Sequence, residues 1–199
     1  MTKRIAQRRG QRGFTLIETM IAIALMTIGI LTLVATFGEA VGATQYAEQN
    51  MIARQKALQA LESVYTARNT QQLTFAQIAN TTSGGIFVPS ETMLCAGPDG
   101  LVNTTDDVNC PASGPCAAGP ECIVLPGPDG VLGTADDIGF SLANMRRAVT
   151  ITNALNPDGS LNQTLKIVTV TITYVTNGAA AAGPAAIRTY TINALVASE

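Results

Sequence analysis

The chain has 199 residues, with 12 basic and 14 acidic side chains and no histidine. The missing imidazole removes the commonest general base and metal ligand, and a net charge of −2 is not that of a nucleic-acid-binding surface. With no tryptophan and only 5% aromatic residues, there is little material for an aromatic ligand platform.

The first thirteen residues, MTKRIAQRRGQRG, hold Lys3, Arg4, Arg8, Arg9 and Arg12 and no acid. Residues 13–18 follow as Gly-Phe-Thr-Leu-Ile-Glu, and residues 19–38 then run for twenty positions without a charge. That run is long enough to cross ~30 Å of hydrocarbon as a helix, and its basic flank belongs on the cytoplasmic side. Glu18 lies at the edge of the run, and a carboxylate in a bilayer core is costly unless it finds a partner. A secretory signal peptide would carry its cleavage site after the apolar stretch, whereas here the distinctive junction, Gly13-Phe14, comes before it. A generic anchor accounts for the apolar stretch but not for the hexapeptide.

That hexapeptide with its basic leader resembles the class III signal of type IV pilins and type II secretion pseudopilins, over about residues 1–45. The resemblance implies that a prepilin peptidase cuts between Gly13 and Phe14 and that the new amine of Phe14 is methylated. It implies a single-pass precursor in the inner membrane with its C-terminal domain in the periplasm. An inner-membrane assembly platform would then move it into a pilus or pseudopilus among other pilin or pseudopilin subunits. Glu18, the fifth residue after the junction, would pair with the Phe14 amine of a neighbour; such a buried pair mainly sets register, because desolvation offsets much of the attraction. Removing residues 1–13 takes five basic residues and no acid, leaving seven basic against fourteen acidic side chains in a chain with room for one modest globular domain.

No proline occurs before Pro89, and helix formers dominate residues 46–68. One helix is expected from Phe14 to about Arg68, with residues 14–40 as the membrane or filament-core half and 41–68 as an amphipathic half. Ala47, Met51, Leu58, Leu61 and Tyr65 form the expected apolar stripe. Gly29, Gly38 and Gly42 weaken the helix or admit close packing. Many major pilins carry a proline about twenty residues into the mature helix, where this chain has Ala35. That difference, with Ile-Gly-Ile-Leu at 28–31, resembles the PilV group and the I-type pseudopilins and so points to a minor subunit.

Residues 69–145 are expected to be a loop region rich in cysteine and aspartate. All four cysteines, Cys95, Cys110, Cys116 and Cys122, lie there. Outside the cytoplasm, where the class III signal would place them, disulfides persist. Four cysteines allow three pairings; joining sequence neighbours, Cys95–Cys110 and Cys116–Cys122, is the simplest of them. The absence of any CxxC pair argues against zinc. Residues 97–108, GPDGLVNTTDDV, recur as GPDGVLGTADDI at 127–138, identical at seven of twelve positions. Asp99 with Asp106 and Asp107, and Asp129 with Asp136 and Asp137, make two sets of three carboxylates on Pro-Asp-Gly turns. An all-oxygen set suits Ca²⁺, in one or two sites, although Pro-Asp-Gly also forms turns unaided. The spacing resembles the calcium loop of the major pseudopilin of type II secretion.

Residues 146–155, 163–176 and 186–196 read as strands, with period-two β-branched residues. Asn156-Pro157-Asp158-Gly159 is a hairpin turn, and residues 177–184, NGAAAAGP, are a flexible link. On the middle strand Lys166, Val168, Val170, Ile172 and Tyr174 share one face, and Ile167, Thr169, Thr171, Thr173 and Val175 the other, the solvent side. The expected architecture is α+β: a long N-terminal helix packed on a C-terminal antiparallel sheet over residues 146–199. The chain has no GxSxG motif, no phosphate loop and no organic-cofactor signature, so it reads as a filament subunit rather than an enzyme. A secretion pseudopilin and an adhesive module at a filament tip are the alternatives.

Overall fold

The computed structural model describes residues 14–176 and 186–198. The leader with Gly13, and the link at 177–184, lie outside the described residues. A single helix, α1 (Leu16–Asn69), accounts for 54 residues, about 81 Å at 1.5 Å per residue. Six strands follow: β1 (Glu91–Thr92), β2 (Cys122–Leu125), β3 (Ile138–Ser141), β4 (Met145–Leu155), β5 (Leu161–Thr176) and β6 (Ala186–Ala197). They form an antiparallel sheet in the order β1-β4-β5-β6 and a separate β2-β3 hairpin. The molecule is therefore α+β, one long helix on a C-terminal antiparallel sheet, as pilins are built.

Three local choices build the main sheet. The turn between β4 and β5 closes with Gly159 N–H donating to Asn156 at 2.9 Å, and Gly159 sits at φ 83°, a region glycine enters without strain. Asp158 Oδ1 accepts from the Ser160 amide and hydroxyl, fixing the turn. The period-two pattern then turns Met145, Arg147, Val149 and Ile151 of β4, and Lys166, Val168, Val170, Ile172 and Tyr174 of β5, into the core. On the opposite face Thr169, Thr171 and Thr173 are half-buried rather than open, because neighbouring side chains such as Thr191, 3.1 Å from the Thr171 hydroxyl, cover them.

The helix meets the sheet on a different stripe from the one the larger side chains suggest. Ile52, Ala53, Ala57, Ala60, Val64 and Ala67 are buried. Leu61 and Tyr65 pack at the margin, but Ala47 is exposed, Met51 is 72% exposed and Leu58 42%. The reason is steric: a helix lying on a β-branched sheet surface approaches closely through alanine, and larger side chains are displaced to the flanks. Ala53, Ala57, Ala60, Val64 and Ala67 step by four and three, the helical period written in small residues.

The segment between helix and sheet is more than loop. Ile78, Phe87, Met93 and Leu142 from it are fully buried in the same core. Asn80 ties the segment to β4, donating from Nδ2 to Val149 at 2.6 Å and accepting from the Ile151 amide at 2.8 Å. The β2-β3 hairpin carries the second aspartate repeat as its connection.

Candidate functional site

Two parts of the molecule carry chemistry or surface without a structural reason internal to the core: the start of α1 and the aspartate repeats.

Thr15 caps the helix, its hydroxyl accepting from the Glu18 amide at 3.3 Å. Thr15 and Glu18 stand at the spacing of a capping box. This pairing was legible in the sequence as Thr-x-x-Glu. Glu18 occupies the first turn, where a carboxylate opposes the positive end of the helix dipole. From Phe14 to Val41 every residue is exposed, with Phe14 at 82% and Leu16 at 81%. The best window of the helix has a mean hydropathy of 2.4 and none of it is buried within the chain. An apolar surface of this extent requires a lipid or protein partner. The four threonines of this half are compatible with either. Thr19, Thr27, Thr32 and Thr36 each donate to a carbonyl three residues back at 2.8 Å, leaving no hydroxyl proton unpaired. Gly29 and Gly38 have open space where a Cβ would stand, so neither is required by contacts inside the chain.

The two repeats adopt the same loop. Asp99 Oδ1 accepts from the Leu101 amide, and Asp129 Oδ1 from the Val131 amide, at 2.8 Å in both. Asp106 and Asp136 use Oδ2 on the amides of Asp99 and Asp129 at 3.4 and 3.2 Å. Asp107 and Asp137 use Oδ2 on the amides of Asn103 and Gly133 at 2.7 Å. Threonine hydroxyls add a fourth bond, Thr104 to Asp106 at 2.7 Å and Thr134 to Asp136 at 2.6 Å. Gly97 and Gly127 are obligatory, since a Cβ would lie 2.3 and 2.1 Å from the carbonyl oxygens of Asp106 and Asp136.

The six aspartates thus gather by threes, and each carboxylate is used by its own loop. Burial raises the pKa of Asp99 above the usual carboxylate value, with the charges of Asp106 and Asp107 adding to it. Hydroxyl donation holds Asp106 and Asp136 below that value. In the second loop Asp137 Oδ1 is buried without a hydrogen-bond partner, whereas Asp107 Oδ1 accepts from Thr104 at 3.0 Å. Among the described residues no group of three or more His, Cys, Asp or Glu side chains is already arranged to hold a metal ion.

The loops differ in what they rest on. Leu101 and Val102 of the first are buried at 3% and 6% exposure, while the equivalent Val131 and Leu132 of the second are 55% and 61% exposed. The first loop is anchored by Arg147, which is fully buried. Its Nε donates to Asn103 Oδ1 at 3.1 Å, and Nη2 lies 3.3 Å from Glu91 and 3.6 Å from Asp107. Burial pushes the Glu91 carboxyl up to about 7, with Asp107 raising and Arg147 lowering it. Glu91 and Arg147 were not singled out by sequence motifs; the signal available was the core-facing position of Arg147 in the alternation of β4.

Cys95 is bonded to Cys110, and Cys116 to Cys122. The second bridge fastens the start of β2, and Glu121 beside it forms an ion pair with Lys56 of α1. The hairpin is therefore held to the helix at its base while its tip, the second repeat, projects.

Residues 8–34 match the family model of the prokaryotic N-terminal methylation motif. This is a prepilin-type signal, consistent with type IV pilins and pseudopilins. No curated protein and no solved structure matches the chain.

Proposed function

We propose that the chain is a minor subunit of a type IV pilus or pseudopilus, processed by a prepilin peptidase and held in the filament by α1. The observation that supports it most is the coincidence of the methylation motif at 8–34 with an unbroken helix whose first half is apolar and unburied. In the membrane that half is covered by lipid; in a filament, by the helices of neighbours. The exposed Met51 and Leu58 extend the same contact surface down the helix. The role is structural, with the C-terminal domain on the periplasmic side of the precursor. The uninterrupted helix, with no proline before Pro89, favours a specialised subunit over the bulk one. Chain recovered from sheared surface filaments is expected to lack residues 1–13; chain found only in the membrane with its leader attached would count against the reading.

Calcium binding by the repeats is a second reading, favoured by the orphaned Oδ1 of Asp137 and by the mutual repulsion felt at Asp99. The all-oxygen donors fit a hard cation. Asp99, Asp106 and Asp107, or Asp129, Asp136 and Asp137, would hold it by exchanging bonds to backbone amides for bonds to the ion. At 100 times its dissociation constant a ligand adds about 2.7 kcal/mol to stability. Melting of the full chain in detergent is thus expected to move upward by several degrees on replacing EDTA with Ca²⁺, and an unchanged curve would leave the loops as self-supporting turns.

The exposed Val131 and Leu132 favour a binding role for the hairpin tip within the filament reading. Replacing both by serine is expected to leave assembly intact and to reduce attachment of filaments to surfaces or to each other. Unchanged attachment would remove the tip from consideration.

A further inference from the structure

Lys166 is an ionisable group on the core face of β5, only 8% exposed. Its ammonium donates to the carbonyl oxygens of Phe75 and Ile78, both at 2.7 Å, and lies 4.6 Å from the centre of the Phe75 ring. An ammonium has three N–H donors, so one remains after those two bonds. No acidic side chain among the described residues forms an ion pair with it. Buried charges are ordinarily paired, and in a chain with more acids than bases an unpaired buried cation needs a reason.

Lys166 also lines a cavity of about 340 Å³, together with Ala76, Ser83, Thr152, Asn153 and Leu161. None of the lining residues is acidic. Asn153, the cross-strand partner of Lys166 on β4, and Ser83 supply an amide and a hydroxyl to the cavity wall. The cavity lies against the 75–83 segment that Lys166 itself anchors, at the end of the sheet away from the β1 and disulfide region. It shares no residue with the aspartate loops or the apolar half of the helix. Burial alone lowers the Lys166 pKa below the ordinary lysine value, with no acid raising it, which is the electrostatic condition an incoming anion would relieve.

We propose that this cavity is a binding site for a small oxyanion, a carboxylate or a phosphate group, with Lys166 as the charge and Ser83 and Asn153 as flanking donors. The proposal stands independently of the filament reading, since it uses neither the helix nor the motif.

The test is titration of the full-length chain in detergent, at constant ionic strength in a buffer free of both groups, with inorganic phosphate in one arm and acetate in the other. Binding is followed by the backbone amide signals of Ser83 and Asn153. Saturable shifts in either arm are expected, and the arm that responds assigns the chemistry. Lys166→Met is expected to weaken binding by about tenfold or more. Should Lys166→Met fail to fold, Asn153→Ala, at a half-buried cavity wall, is expected to weaken it several-fold while leaving the rest of the spectrum in place. Absence of a saturable shift in both arms, or saturation unaltered by these substitutions, overturns the proposal.

Discussion

Glu18→Ala is expected to leave the chain in the inner membrane and to reduce its incorporation into filaments by about tenfold or more. Insertion depends on the uncharged run at 19–38, which the substitution does not touch. The helix start also survives. Thr15 caps by accepting from the backbone amide of residue 18, and alanine keeps that amide. What is lost is the carboxylate alone. Cleavage after Gly13 would create an ammonium at Phe14, two residues before a helix whose dipole already presents positive charge there. Inside a filament, where water is excluded, that ammonium needs an acid. Leaving one member of a buried pair alone costs about 3–5 kcal/mol, more than tenfold in an equilibrium. The quantity to measure is the ratio of chain in sheared filaments to chain in the membrane. A ratio equal to that of the unaltered protein would remove Glu18 from assembly.

The largest expected loss of stability follows Arg147→Ala. The guanidinium is fully buried between Glu91, Asp107 and Asn103, which come from β1 and the first aspartate loop. Its removal leaves two carboxylates in a desolvated site without a cation, and about 3–5 kcal/mol is the usual consequence. Arg147 also links otherwise unrelated stretches, so the first loop and the short strand β1 are expected to detach before the β4-β5-β6 sheet melts. Denaturant unfolding of the full chain in detergent, read by far-ultraviolet circular dichroism, measures the first effect. Protection of the Asn103 amide from exchange measures the second. Combining Arg147→Met with Glu91→Gln and Asp107→Asn is expected to recover much of the loss, because no charge is then buried. A single substitution with no loss would mean that the site is solvated.

Both expectations draw on parts of the molecule that differ in how far the sequence reveals them. The helix and the three long strands follow from local patterns: an uncharged run, a stretch without proline, and alternating β-branched residues. Core positions on β5 follow from the same alternation, Lys166 included. The helix stripe was harder to read because its buried side chains are alanines, which carry little hydrophobic signal, while the bulkier Met51 and Leu58 face outward. The β2-β3 hairpin is obscured because its strands are four residues each and twelve residues separate them. Yet CIVL and IGFS flank the second repeat and would form a ladder if the repeat turned the chain. The docking of the first repeat and the exposure of the second depend on distant partners as well as on local sequence. The loops are identical at seven of twelve positions and share most internal hydrogen bonds, but Asn103, whose side chain accepts from Arg147 and donates to Val88, is Gly133 in the second copy. What separates them is Arg147, some forty residues away from the first loop in the chain, together with Ser63 of α1, whose hydroxyl accepts from the Val102 amide at 3.2 Å.

A processed filament subunit is recognised at its N-terminus, which can be read on chain recovered from filaments. Mass spectrometry of the N-terminal peptide is expected to show a start at Phe14 carrying one methyl group on its amine. A peptide that still contains residues 1–13, or one that begins after the apolar run at residue 38 or beyond, would mean that the chain is not processed as a filament subunit.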